Sequence, residues 1–293
     1  MIESIRMIAT ALALGIGVPA LAGVAHAEDG VGVVAEYRPA AARFSLGRNG
    51  AEPVPVRIGT VVMAGDRLSL PAGAAVIVQE GDGQRREFTG PGSFEVPTAA
   101  PLGKLSAFFR SISAVFDDEY RLAGTAASRG GEDCSKDGGA VRGIEVPILA
   151  GAPAIAAGVR DLPLTWIGGC TPFVVSLQAA DGRLLYRESV EGRQVRLDDV
   201  PLPVGRYTVS IADATGLEFH GSVESAPSAP TLPDELVGDE SPLGVVAGAI
   251  WLAGQDNGRW RFESFERLRP LIRAGDPLAG AIGDGLLWGD YAP

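Results

Sequence analysis

Apolar runs in this chain are short, and glycine or proline breaks most of them before two helical turns are complete. From Gly30 to Pro97 they come one after another. Val31-Gly32-Val33-Val34 opens the block, and Val54-Pro55-Val56-Arg57-Ile58-Gly59 alternates with period two. Val61-Val62-Met63-Ala64-Gly65-Asp66 ends in a turn, and Ala74 to Gln79, Arg86 to Thr89 and Ser93 to Val96 follow. Glu80-Gly81-Asp82-Gly83 and Gly90-Pro91-Gly92 separate the last three runs as turns. Period-two runs of this length bury one face of a sheet, whereas a helix needs a longer stretch at period 3.6. The block therefore predicts a small all-β module of six or seven strands. The same punctuation extends through the chain, with 40 Gly and 21 Pro among 293 residues, which favours turns and short strands throughout.

Within this block, Ile58-Gly59 precedes Met63-Ala64-Gly65-Asp66-Arg67-Leu68, a Gly-Asp step that leads into a strand. Ala74-Ala75-Val76-Ile77-Val78 then runs into a Gly-Asp-Gly turn, and Gly90-Pro91-Gly92-Ser93-Phe94-Glu95-Val96 closes the block. In these motifs residues 30–98 resemble the FecR-like periplasmic domain. The resemblance implies a small β domain that works through protein–protein contact in envelope sensing or assembly.

The period changes after Pro101. Leu102, Leu105, Phe108, Ile112, Val115 and Phe116 recur every three or four residues and predict an amphipathic helix, followed by a Gly/Ser/Asp-rich linker; together these fill residues 99–142. Residues 143–225 form a second β block. Leu164-Thr165-Trp166 starts a strand, and Phe173, Val175 and Leu177 alternate up to the Ala180-Asp181-Gly182 turn. Leu184, Leu185 and Tyr186 return from it as a hairpin. Leu202-x-x-Gly205-x-Tyr207 resembles the corner that leads into a late strand of immunoglobulin and fibronectin type III sandwiches. Residues 226–240 carry prolines and read as a linker. Residues 241–293 read as a helical unit, with helices expected at 242–254, 259–272 and 277–288. Ser241-Pro242 and Asp276-Pro277 each place a capping side chain before a first-turn proline. The fold class expected is mainly β: a FecR-like module, a linking helix, an Ig-like sandwich and a short helical C-terminal unit.

Residues 1–27 read as a signal peptide. Met7 to Ala25 carries no charge, and Ala25-His26-Ala27 supplies the small-x-small site, so cleavage is expected after Ala27 and the protein is expected in the periplasm or secreted. An uncleaved membrane anchor is the alternative. Removing Glu3 and Arg6 together leaves the formal charge at −11. A chain this acidic is a poor partner for nucleic acid or an anionic membrane. Both cysteines, Cys134 and Cys170, lie in the exported part and are expected to form a disulfide. On the chain-entropy picture that bond would remove about 4 kcal/mol of unfolded-state entropy.

Chemistry-bearing motifs are sparse. After cleavage the single histidine is His220, on an alternating strand pattern, where a half-exposed structural role is expected. No G-x-S-x-G elbow or S-x-x-K is present. Gly30-x-Gly32-x-x-Ala35 mimics a dinucleotide fingerprint but has no strand before it. The adjacent acids Asp117-Asp118-Glu119, Asp198-Asp199 and Asp239-Glu240 are expected to be solvated charge, and no cofactor, metal or catalytic residue is expected. The reading is a non-enzymatic binding or scaffold protein with an envelope protein as partner. The alternatives are a carbohydrate- or peptidoglycan-binding module, which needs at least two Trp or Tyr exposed on one face and fails if Trp251, Trp260 and Trp288 are buried, and a hydrolase, which needs two carboxylates converging in one cleft.

Overall fold

The computed structural model describes residues 30–39, 43–48, 50–113 and 143–288. Eight strands make the first module: β1 (Gly32–Arg38), β2 (Ser45–Gly47), β3 (Val54–Pro55), β4 (Val61–Val62), β5 (Arg67–Leu70), β6 (Ala75–Glu80), β7 (Arg85–Thr89) and β8 (Gly92–Glu95). They pair antiparallel in two four-stranded sheets, ordered β4-β1-β6-β7 and β3-β2-β5-β8. The run from Val54 to Gly59 is a strand only at its first two residues. A turn follows at once, in which Arg57 N–H donates to Thr60 Oγ1 at 2.9 Å and Thr60 N–H to the Arg57 carbonyl at 3.0 Å.

Val34, Leu46, Leu68, Val76, Val78 and Phe88 fill the space between these sheets. Val33 and Ala35 alternate with Val34 and so face away from that core, and the register of β1 shifts just beyond, between Val34 and Glu36. The two glycines of the dinucleotide-like motif owe their presence to packing. A Cβ on Gly30 would lie 2.4 Å from Val61 Cγ1, and one on Gly32 would lie 2.5 Å from Val78 Cγ1.

Helix α1 (Lys104–Ser113) follows the module. Its Leu105 and Phe109, with Leu102 just before it, are buried against Val33, Ala35 and Val61, so this stripe docks on the β module. The remainder of the expected helix and linker, and with it Cys134, lies outside the described residues.

The second β block contains β9 (Ala154–Ala156), β10 (Gly158–Thr165), β11 (Phe173–Ala179), β12 (Leu184–Val190), β13 (Gln194–Leu202), β14 (Gly205–Ala212) and β15 (Glu218–Ala226). One sheet is the pair β10-β13, and the other has the order β12-β11-β14-β15-β9, antiparallel except for β15-β9. Trp166 and Phe173 meet edge to face in its core, their ring centroids 5.2 Å apart. Tyr207 O–H donates to the Pro203 carbonyl at 2.6 Å, closing the corner expected from the Leu-x-x-Gly-x-Tyr pattern. Strand order and corner together define an immunoglobulin/fibronectin III-like sandwich.

Three helices complete the chain: α2 (Pro242–Gly254), α3 (Arg261–Arg273) and α4 (Pro277–Trp288). Each expected helix falls within two residues of these bounds. Ser241 Oγ accepts from Gly244 N–H at 3.1 Å, and Asp276 Oδ1 from Ala279 N–H at 2.9 Å, so both caps act as the sequence implies. The helices do not form a core of their own. Val246, Ala249, Leu268 and Ile282 join Val33, Ala35 and Phe109 in a core shared with the first module. Phe262, also on α3, is wholly buried in the core of the sandwich. Charged contacts follow both seams: Arg85 reaches Asp276 at 2.8 Å on the first module, and Arg269 pairs with Asp161 of the sandwich.

Candidate functional site

The sandwich's larger sheet has two edges, and the chain treats them differently. At the β9 edge, Ala154 N–H donates to the Arg259 carbonyl and Ala156 N–H to Glu263 Oε1, both at 2.6 Å. The helical unit thus occupies the donors that this strand would otherwise present. At the opposite edge, β12 pairs with β11 and with no other strand among the described residues.

The pattern of β12 follows from its pairing. Tyr186 stands opposite Leu177 and Val190 opposite Phe173, both core residues, so these side chains lie on the inner side, where they rest half-buried on the rim of the core. Arg187, opposite Ser176, and Leu184, opposite Gln178, point outward. Leu184 is 48% exposed, and Arg187 is exposed with no ion-pair partner among the described residues. Burial first, and then the hydrogen bond to Glu188, pushes the Tyr186 hydroxyl up to about 12, so it stays a neutral donor at ordinary pH.

A second feature is a polar cleft of about 420 Å³ where β10 and β13 meet α3, lined by Arg160, Asp161, Arg196, Asp198, Asp199, Glu266, Arg269, Arg273 and Val159. Asp161 Oδ1 accepts from Asp199 N–H at 3.0 Å, while its other oxygen takes Arg269 and has Arg273 at 4.0 Å. Arg160 lies 3.7 Å from Glu263. Glu266 meets Arg269 at 3.3 Å through one carboxylate oxygen, and the other is buried without a hydrogen-bond partner. Burial, above all, pushes the Glu266 carboxyl upward, with Asp161 and Glu263 adding to the rise and Arg269 and Arg160 opposing it. Carboxylates therefore do converge in one cleft, but arginines accompany them, and Asp161 is committed to holding the α3 seam.

Of the carboxylate pairs named from sequence, Asp198 and Asp199 line this cleft. Asp198 is bound to Arg196 at 2.5 Å, and Asp199 contributes its backbone N–H. Asp239 caps the start of α2 by accepting from Ser241 N–H and Oγ, and Asp117, Asp118 and Glu119 lie outside the described residues. Asp161 and Glu266 are 105 positions apart, and only the fold brings them together. A trace of the second was present in the Glu263-x-x-Glu266-x-x-Arg269 spacing, which puts three charges on one helix face.

His220 sits on the outer face of the larger sheet, 59% exposed. Its Nδ1 is 2.9 Å from Ser210 Oγ and its Nε2 is 3.1 Å from Glu218. These are the residue types of a nucleophilic triad, but they lie on an open sheet face in contact with bulk water, where charge stabilisation is weakest. All four tryptophans are buried or half-buried: Trp166 is wholly enclosed, Trp260 is 6% exposed, and Trp251 and Trp288 are partly covered. The flat aromatic platform that a glycan-binding module needs is not formed by them.

Cys170 is 4% exposed, and its N–H donates to Asp213 Oδ2 at 2.8 Å. There is no free cysteine thiol among the described residues, but the expected pairing with Cys134 lies outside them. Nor do His, Cys, Asp and Glu form a metal-binding group of three or more among the described residues.

No family model matches the chain, and no curated protein does. Solved structures align with parts of it. CopC from Methylosinus trichosporium OB3b is 21% identical over 29% of this chain and 88% of its own, with a TM-score of 0.20. A two-domain fibronectin type III segment from chicken tenascin is 12% identical over 67% of this chain and 95% of its own, with a TM-score of 0.22. Overlays this loose add nothing to the strand order and tyrosine corner on which the fold class rests.

Proposed function

We propose that this chain is an exported, non-enzymatic binding or scaffold protein of the periplasm, matured by cleavage after Ala27, whose first module is FecR-like and whose partner is another envelope protein. The observation that carries this reading is the contrast between the two sheet edges. An unpaired edge strand is a template for another chain, and proteins normally cover such edges. This one covers β9 with its own helices, while β12 has no strand partner but β11 among the described residues. Support for the FecR-like module comes from its Gly-Asp step. Gly65 takes a φ of +84°, and the buried Asp66 carboxylate that follows receives Arg48 at 2.9 and 2.7 Å and Met63 N–H at 2.8 Å. One acid thus fixes the turn into β5 and ties it to the β2–β3 side of the module.

The test is crosslinking and affinity purification of the tagged, exported protein from its native envelope, with mass spectrometry of what is recovered. Enrichment of one specific envelope protein is expected. A preparation that recovers no protein partner overturns the reading and leaves a glycan or small ligand as the alternative.

A further inference from the structure

We propose that β12 receives an extended segment of a second protein as an added strand, with apolar side chains over Tyr186 and Val190, a basic or polar one over Glu188 between them, and an acidic residue opposite Arg187. This rests on the binding-protein reading above. An open edge offers backbone donors and acceptors in one line, and only another extended backbone satisfies them in series. On the inner side Tyr186 and Val190 rest half-buried on the core rim and favour apolar contact, the exposed Glu188 stands between them opposite Val175, and no further strand pairs with this edge among the described residues. Across the outer side, Arg187 supplies an exposed positive charge without an ion-pair partner among the described residues.

The same charges argue against a second copy of this chain. Pairing β12 with itself about a two-fold axis at mid-strand sets Arg187 against Arg187, or Glu188 against Glu188. Like charges directly opposite one another destabilise a strand pair. An acid-bearing segment of a different protein meets the edge without that conflict.

The experiment places a photoreactive benzoylphenylalanine at Leu184 of the full exported chain in its native envelope, with the same group at Val159 and Val237 as comparison sites. All three positions are exposed, at 48%, 63% and 58%. An adduct from Leu184 with another protein is expected, the crosslinked peptide being an extended stretch that carries an acid. Its yield should fall by about tenfold in Arg187→Glu and persist in Arg187→Lys, since reversing one charge turns a favourable cross-strand pair into an unfavourable one. An adduct that Arg187→Glu leaves unchanged overturns the proposal, as does an adduct between two copies of the chain. Adducts from Val159 or Val237 alone overturn the edge assignment and leave the binding reading standing. A blank at all three sites overturns the edge assignment, and a blank in the affinity purification as well overturns both.

Discussion

Helix α3 carries Phe262 into the sandwich core and Leu268 into the core shared by the first module and the helices, and both side chains are fully buried. Truncating either one therefore tests whether the helical unit couples the two β modules. Phe262→Ala deletes a ring from a closed core, and such changes cost about 3 to 5 kcal/mol once the residual cavity is included. Leu268→Ala falls in a range of about 2 to 5 kcal/mol. Against a total stability on the order of 5 to 15 kcal/mol, either loss is large, and for a chain of this size it lowers the midpoint by roughly 10 °C. The informative assay is thermal unfolding followed by peptide-resolved hydrogen exchange, which reports each strand separately. If α3 couples the modules, Phe262→Ala weakens protection in β1 as well as in β14, and Leu268→Ala does the same. The reasoning is refuted if each variant loosens only the core it touches, or if Phe262→Ala moves the midpoint by less than about 2 °C, because a wholly buried ring cannot be lost so cheaply.

Three further outcomes follow from the geometry. Tyr207→Phe keeps the ring but loses the bond to Pro203, and should lower stability by about 1 kcal/mol in urea unfolding; no change in midpoint would remove the corner as a stabilising feature. Asp66→Asn leaves Arg48 facing a neutral partner and should cost about 2 to 3 kcal/mol, the low side of buried-pair losses because Arg48 is one-third exposed; a neutral result in the same assay would mean that the pair does not anchor the turn. Glu266 binds its proton more tightly in the folded state, so its contribution grows as pH falls through the raised value and is complete below the ordinary glutamate range. Glu266→Gln should therefore raise stability at pH 7 and flatten that part of the pH profile, and an unchanged slope in the variant would contradict the burial argument.

Legibility from sequence divided along the range of the interactions. The short runs around Gly83 and Gly182, the two proline-started helices and the Tyr207 corner depend on residues within a few positions of one another, and all could be read directly. What joins the parts could not. The stripe Phe262, Phe265, Leu268 and Ile272 announces a helix, but nothing in its spacing says that Phe262 serves one core and Leu268 another. The cleft has the same character, because Asp161 pairs with a residue 108 positions away and its role exists only once β10 meets α3. The abundance of Arg over Lys was visible as composition, whereas the seams in which Arg85, Arg160, Arg259 and Arg269 bind carboxylates were not. These seams bear directly on the open edge. Arg259 and Glu263 satisfy the β9 strand with the same residues that fasten α3 to the sandwich, through Glu224 and Arg160. Covering β9 and locking the helices in place are thus one set of contacts. On the far side of the sheet, out of reach of α3, β12 pairs with β11 alone among the described residues, and that is the edge proposed to take a strand from another protein.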